Sequence, residues 1–249
     1  MAEARVVLVA GATGLVGQAV LAALLAADSS APKATANPTS AKMAPEGALP
    51  PEVHALHVQG RRVPIITHPR LHLHAVDFAA LAANPHIPAL PRVDDVIITL
   101  GTTIAVAGSQ QAFRAVDHDA VLTTARAARA AGATRCGVVT AMGANAHSRI
   151  FYNRVKGEVE KALQEMGFAT LVIARPSLLL GERHTLGQPA RPAESLSIKA
   201  FQWLAPVIPA NYRARPGADV ARALVRAVLA GQTQGTPKVQ ILKGDALKA

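Results

Sequence analysis

The 249-residue chain is poor in aromatic side chains, with five Phe, two Tyr and one Trp. Single-stranded nucleic-acid binders stack bases on aromatic platforms beside basic grooves. No block of five or more Lys/Arg is present either, so no nucleic-acid partner is expected. Cysteine is nearly absent. Cys136 alone permits neither an intramolecular disulfide nor a cysteine-rich zinc cluster, and the chain reads as a reduced, cytoplasmic protein. Acidic residues are few, 16 against 26 Lys plus Arg, and the formal charge of +10 suits anions such as phosphates or polyanions. The nine histidines show no His-Glu-x-x-His or comparable spacing, although His72 and His74 alternate on one strand face, and no metal site is expected. The lack of a Gly-x-Ser-x-Gly elbow argues against a serine hydrolase on an α/β sheet.

Residues 6–27 are uncharged and have the length of a membrane span or a signal sequence. Their internal pattern argues against both. Val6-Val7-Leu8-Val9 is a β-branched run suited to a buried strand, Gly11, Gly14 and Gly17 interrupt it, and Leu21, Leu24 and Leu25 follow at helical spacing. No membrane segment is expected.

What the sequence does contain is a rhythm of short apolar runs and helical stretches. Strands are expected at 53–58, 71–76, 96–100, 136–140, 169–174 and 239–242. Helices are expected at 113–131, 152–166 and 218–230. Continuous buried strands alternating with helices imply an α/β fold with a doubly wound parallel sheet covered on both faces. Residues 1–249 form one domain in this reading. Residues 29–52, rich in Ser, Ala, Pro, Thr and Lys, are a flexible insertion, since they cannot bury enough surface to offset ordering entropy. Residues 182–249, broken by proline, form a small substrate-side region.

Gly11-Ala12-Thr13-Gly14-Leu15-Val16-Gly17 lies between the first strand and the first helix. In that context the first glycine allows a tight turn, the second lets backbone approach a pyrophosphate, and the third permits close helix packing. The helix amides face an anion. Here the chain resembles the short-chain dehydrogenase/reductase superfamily, whose extended and atypical members carry this glycine spacing. The resemblance implies a Rossmann fold and a nicotinamide dinucleotide, with Gly11, Thr13, Gly14, Leu15, Val16 and Gly17 around the diphosphate.

At the end of the second strand an acidic residue would accept from a free ribose 2'-hydroxyl, whereas arginines suit a 2'-phosphate. Gln59-Gly60-Arg61-Arg62 contains no acid, so NADP(H) is favoured over NAD(H), with Arg61 and Arg62 as the phosphate partners. Asp77 and Phe78 follow the third strand, where relatives bind the adenine edge; Asp77 is equally suited to cap the next helix. Gly101-Thr102-Thr103 follows the fourth strand, at the sheet edge where doubly wound folds bind ligands, and is expected to line the dinucleotide.

Tyr152 and Lys156 are four apart on a helix and share a face. A phenol with a pKa of about 10 is a poor acid at neutrality. A neighbouring ammonium favours the phenolate, so Tyr152 gains the means to give a proton to a carbonyl oxygen or to take one back. The resemblance also implies that Lys156 holds the nicotinamide ribose and that an upstream hydroxyl holds the substrate oxygen. Of two candidates, Thr140 at the end of the fifth strand is preferred to Ser148.

Gly101-Thr102-Thr103, Thr140-Ala141-Met142-Gly143-Ala144, Phe151 through Glu160, and Arg175 through Arg183 together resemble the atypical branch of the superfamily that includes the HTATIP2/TIP30-like oxidoreductases. The resemblance implies that Pro176 and Ser177 contact the coenzyme. The function it implies is an NAD(P)H-dependent oxidoreductase acting on a small carbonyl or alcohol. A non-catalytic NADPH-binding redox sensor or scaffold is the alternative, and a sugar-nucleotide epimerase a further one. Formation of a homo-oligomer is left open.

Overall fold

A computed structural model describes residues 5–26, 53–61, 64–84, 90, 92–180, 213–231 and 234–248. The expected insertion at 29–52, Arg62 and residues 182–212 of the substrate-side region lie outside the described residues.

Strands β1 (Arg5–Ala10), β2 (Val53–Gly60), β3 (Leu71–Ala75), β4 (Asp95–Ile98), β5 (Arg135–Val139), β6 (Thr170–Ala174) and β9 (Lys238–Leu242) form one sheet in the order β3-β2-β1-β4-β5-β6-β9. Every pairing in it is parallel. Two further short strands, β7 (Leu179–Leu180) and β8 (Arg215–Pro216), pair with each other apart from it.

The central strands alternate between two cores because successive side chains point to opposite faces. Val7 and Val9 of β1 join one core, and Leu8 and Ala10 join the other. Helices α1 (Leu15–Ala26) and α7 (Gly217–Leu229) cover the first face. Helices α2 (Phe78–Ala83), α5 (Ala120–Ala130) and α6 (Phe151–Glu165) cover the second. With both faces buried, near-continuous apolar strands are what the sheet requires, and this is why 6–10, 96–98 and 170–174 carry few polar residues. Residues 6–26 are accordingly a strand, a turn and a helix, and no helix among the described residues is long and apolar enough to cross a membrane.

The strand order reverses direction between β1 and β4. In open α/β sheets the crevice beyond the carboxyl ends of the strands at such a point is where ligands sit. The single helix expected at 113–131 is in fact composite. Short helices α3 (Ile104–Ala107) and α4 (Gln110–Arg114) lead into a π-helical turn, Ala115–Asp119, before α5 begins. The wider π turn rotates Asp117 inward, where it is 1% exposed.

Near the amino ends of the strands, Asp95 and Arg135 face each other in register across β4 and β5 and form a buried ion pair. Burial pushes the Asp95 carboxyl up, opposed by the Arg135 guanidinium. This pair ties two strands together far from the ligand edge.

Candidate active site

The glycine loop is built against the end of β4. Gly11 has φ +88°, and a Cβ there would lie 2.6 Å from Thr99 C. A Cβ on Gly17 would lie 2.1 Å from Gly11 O and 2.7 Å from Thr99 Oγ1. The turn and the first helix can reach this position only if both residues lack side chains. Thr99 seals the arrangement by donating its hydroxyl to Ala10 O at 2.9 Å.

Gly14 behaves differently. Its φ is not in the left-handed region, and the nearest neighbour to an added Cβ would be Gly11 O at 3.4 Å. Nothing among the described residues calls for glycine there. Close approach of a diphosphate to the backbone would, and the first amides of a helix, which lack intrahelical partners, are suitable donors for it. The residues present therefore fit a dinucleotide. Thr13, Leu15 and Val16 complete the turn, the first two half-buried and the third buried.

Arg61 follows β2 directly and is exposed. Asp77, the cap or adenine contact of the sequence, is the N-cap of α2, its carboxylate accepting from Ala79 N at 2.8 Å. Phe78 packs against the second core. Thr103 caps α3 by accepting from Val106 N at 3.2 Å, and Thr102 N donates to Asp117 Oδ2 at 2.8 Å. Pro176 is buried after β6, with its carbonyl accepting from Met142 N at 2.9 Å, while the Ser177 hydroxyl donates to Arg213 O at 2.7 Å.

Tyr152 and Lys156 stand one turn apart on α6, the helix whose Val155, Val159 and Leu163 anchor it in the structure's interior. Its position is set by the loop after β5. A Cβ on Gly157 would lie 2.1 Å from Ala146 N, so the loop crosses the helix at backbone contact distance. The Tyr152 ring lies 5.5 Å from that of Phe113, which is fully buried and fixes it from α4. Lys156 is buried, and its ammonium meets Asp117 Oδ1 at 2.7 Å. Burial pushes the Asp117 carboxyl up, while Lys156 and the Thr102 amide hold it down.

The Thr140 hydroxyl donates to Glu160 Oε1 at 2.6 Å, and Glu160 in turn forms an ion pair with Arg175. A threonine has one proton to donate, and here it goes to a buried carboxylate. Ser148 accepts from Ile150 N at 3.1 Å. Cys136 is fully buried, burial pushes its thiol up, and it packs as a small apolar side chain.

Sequence reasoning missed Asp117, Phe113, Thr99 and Glu160. Asp117 and Glu160 share their stretches with other charged residues, Asp119 and Glu158 among them, so the linear pattern does not mark them as buried. No signal marks Phe113 or Thr99, which matter through contacts between distant segments.

No protein-family model matches the chain. It is 32% identical over 188 residues to the mitochondrial protein fmp52 of Emericella nidulans, covering 75% of this chain and 70% of that protein. It is 34% identical over 172 residues to HTATIP2 of Rattus norvegicus, covering 69% and 66%. Against the mitochondrial FMP52 proteins of Eremothecium gossypii and Coccidioides immitis, the matched stretch spans 42% and 61% of the relative's length. Among solved structures, the fold is similar to Bordetella bronchiseptica WbmF in complex with NAD+, with a TM-score of 0.60, 16% identity, and coverage of 96% of this chain and 72% of that one. A tyrosine-to-phenylalanine variant of ElxO with NADPH bound gives a TM-score of 0.61 at 13% identity, covering 98% and 99%.

The fungal relatives are named as mitochondrial proteins, and this overturns the expected cytoplasmic location. A lone cysteine excludes an intramolecular disulfide but does not choose among compartments. The sequence relatives and the seven-stranded parallel sheet agree: the chain belongs to the atypical short-chain dehydrogenase/reductase family of FMP52 and HTATIP2, an NAD(P)-binding, oxidoreductase-like family.

Proposed function

We propose that the chain is an NADP(H)-preferring oxidoreductase acting on a small carbonyl or alcohol. One observation carries the reading. Residues 99–101 join both halves of the site: the Gly11 turn presses on Thr99 and Leu100, and Lys156 lies beneath Gly101. The glycine loop and Lys156 thus meet on one short segment beside the β1/β4 switch point, which supports reading them as one site.

In this reading the Gly11–Gly17 turn and the first amides of α1 hold the diphosphate, and Arg61 supports a 2'-phosphate. Gly101, Thr102, Pro176 and Ser177 line the far end. A bound nicotinamide supplies or accepts the hydride. Tyr152 gives its phenolic proton to the carbonyl oxygen as the alcohol forms, or takes it back in oxidation. Lys156 stabilises the negative charge that develops on that phenol as the proton leaves. Phe113 holds the Tyr152 ring at the angle from which it acts.

A second reading, a dinucleotide-binding sensor or scaffold without turnover, draws on the Thr140 hydroxyl being committed to Glu160. That leaves the substrate oxygen without the hydroxyl the resemblance implies.

The test is a fluorescence titration of the purified chain with NADPH and NADH. It is followed by nicotinamide absorbance across an aldehyde and ketone panel for wild type and Tyr152→Phe. The expected result is tighter binding of NADPH, retained binding in Tyr152→Phe, and a loss of turnover on the order of a hundredfold or more. Turnover unaffected by Tyr152→Phe would remove the proposed acid. Tight binding without turnover of any panel member would favour the sensor reading, and no binding of either coenzyme would remove both readings.

A further inference from the structure

Asp117 is a buried carboxylate that neither the glycine loop nor the tyrosine–lysine pair explains. Its Oδ1 lies 2.7 Å from Lys156 Nζ, and the two side chains are 1% and 5% exposed. Its Oδ2 accepts from Thr102 N at 2.8 Å, so one carboxylate is tied to α6 and to the loop after β4. It reaches both because the backbone widens into a π turn at Ala115–Asp119, a geometry that recurs at functional sites. A Cβ on Gly101 would stand 3.4 Å from Asp117 Oδ1 and 3.9 Å from Lys156 Nζ. Gly101 is exposed, so its backbone is the layer between the pair and the carboxyl edge of the sheet.

We propose that Asp117 is a positioning residue that fixes the Lys156 ammonium at the nicotinamide end of the site and offsets part of its charge toward the ring, so that oxidised and reduced coenzymes are both accepted. The inference deepens the oxidoreductase reading above and rests on it. The oxidised nicotinamide ring carries a positive charge and the reduced ring does not. A lone buried ammonium beside the ring would repel the oxidised form selectively, because charges in a water-poor crevice interact strongly. The carboxylate offsets part of that repulsion and lessens the discrimination. An enzyme that must hold one form before hydride transfer and the other after it needs this balance.

The experiment compares dissociation constants for NADP+ and NADPH, by calorimetry or fluorescence, in wild type, Asp117→Asn, Asp117→Ser and Asp117→Glu. Asparagine is close in shape and keeps one acceptor oxygen while deleting the charge. The ratio of oxidised to reduced dissociation constants is expected to rise about tenfold in the two neutral variants. It returns toward the wild-type value in Asp117→Glu. A purely structural role would weaken both coenzymes alike, and an unchanged ratio in folded neutral variants overturns the inference while leaving the oxidoreductase reading intact. Each variant is checked for a cooperative thermal transition; if one neutral variant fails to fold, the other carries the comparison. Wild-type protein that binds neither coenzyme would overturn the oxidoreductase reading, and this inference with it.

Discussion

Lowering the pH from 7 to 5 is expected to destabilise the protein through His57. The residue lies on β2 with its ring buried, stacked 4.8 Å from His72 and hydrogen-bonded through Nδ1 to His74 Nε2 at 2.8 Å. Burial first, and then the nearby His74 and His72, bring its pKa down from 6.5 to about 4. The folded state therefore binds this proton less readily than the unfolded chain. Stability from this source is present above pH 6.5 and is lost as the pH falls toward 4. Linkage with those two values gives a loss of about 2 kcal/mol between pH 7 and 5. His74, also lowered by burial and by His72, adds in the same direction. Asp95 and Asp117 have raised values, so their contributions are lost as the pH rises and oppose this slope. A comparison with His57→Phe cancels them, because phenylalanine keeps a ring against His72 and takes no proton. Urea unfolding at pH 7, 6 and 5 should show a loss about 2 kcal/mol smaller in the variant than in wild type. Parallel slopes for the two proteins would refute the assignment of this pH sensitivity to the His57 ring.

The glycine loop yields a contrast between two alanines. Gly17→Ala forces a Cβ to 2.1 Å from a carbonyl oxygen and should destabilise by about 1–3 kcal/mol or more in urea melts. Gly14→Ala, whose Cβ has 3.4 Å of room, should keep the fold within about 1 kcal/mol and weaken coenzyme binding instead. A Gly14→Ala protein that binds NADPH as wild type does would contradict the diphosphate assignment. Thr140→Val should cost about 1–3 kcal/mol because Glu160 loses a buried donor, whereas Thr140→Ser should restore most of it. A large change in turnover from Thr140→Ser, with unchanged stability, would return Thr140 to the substrate.

Local chemistry was legible along the chain. The β-branched run before Gly11, the glycines at three-residue spacing and the leucines after them specify strand, turn and helix from bond geometry and side-chain volume alone, and the observed β1 and α1 follow that order. The same holds for β5, α6 and β6, where a continuous apolar stretch, a periodic one and another continuous one follow in turn. Tyr152 and Lys156 were readable as a pair because helical spacing puts them on one face.

What the linear order could not reveal is which side chains those faces meet. Asp117 lies 39 positions before Lys156 and looked like part of an ordinary helix; only the π turn and the β4/β5 crossover bring its carboxylate under Gly101. Thr140 sits at a strand end, as expected, yet the partner that claims its hydroxyl is Glu160, which the next helix brings across from 20 residues away. Backbone preferences act over a few residues and survive in the sequence as periodicity. Pairings between buried charges depend on how sheets and helices close around one another, and that geometry exists only once the chain has folded.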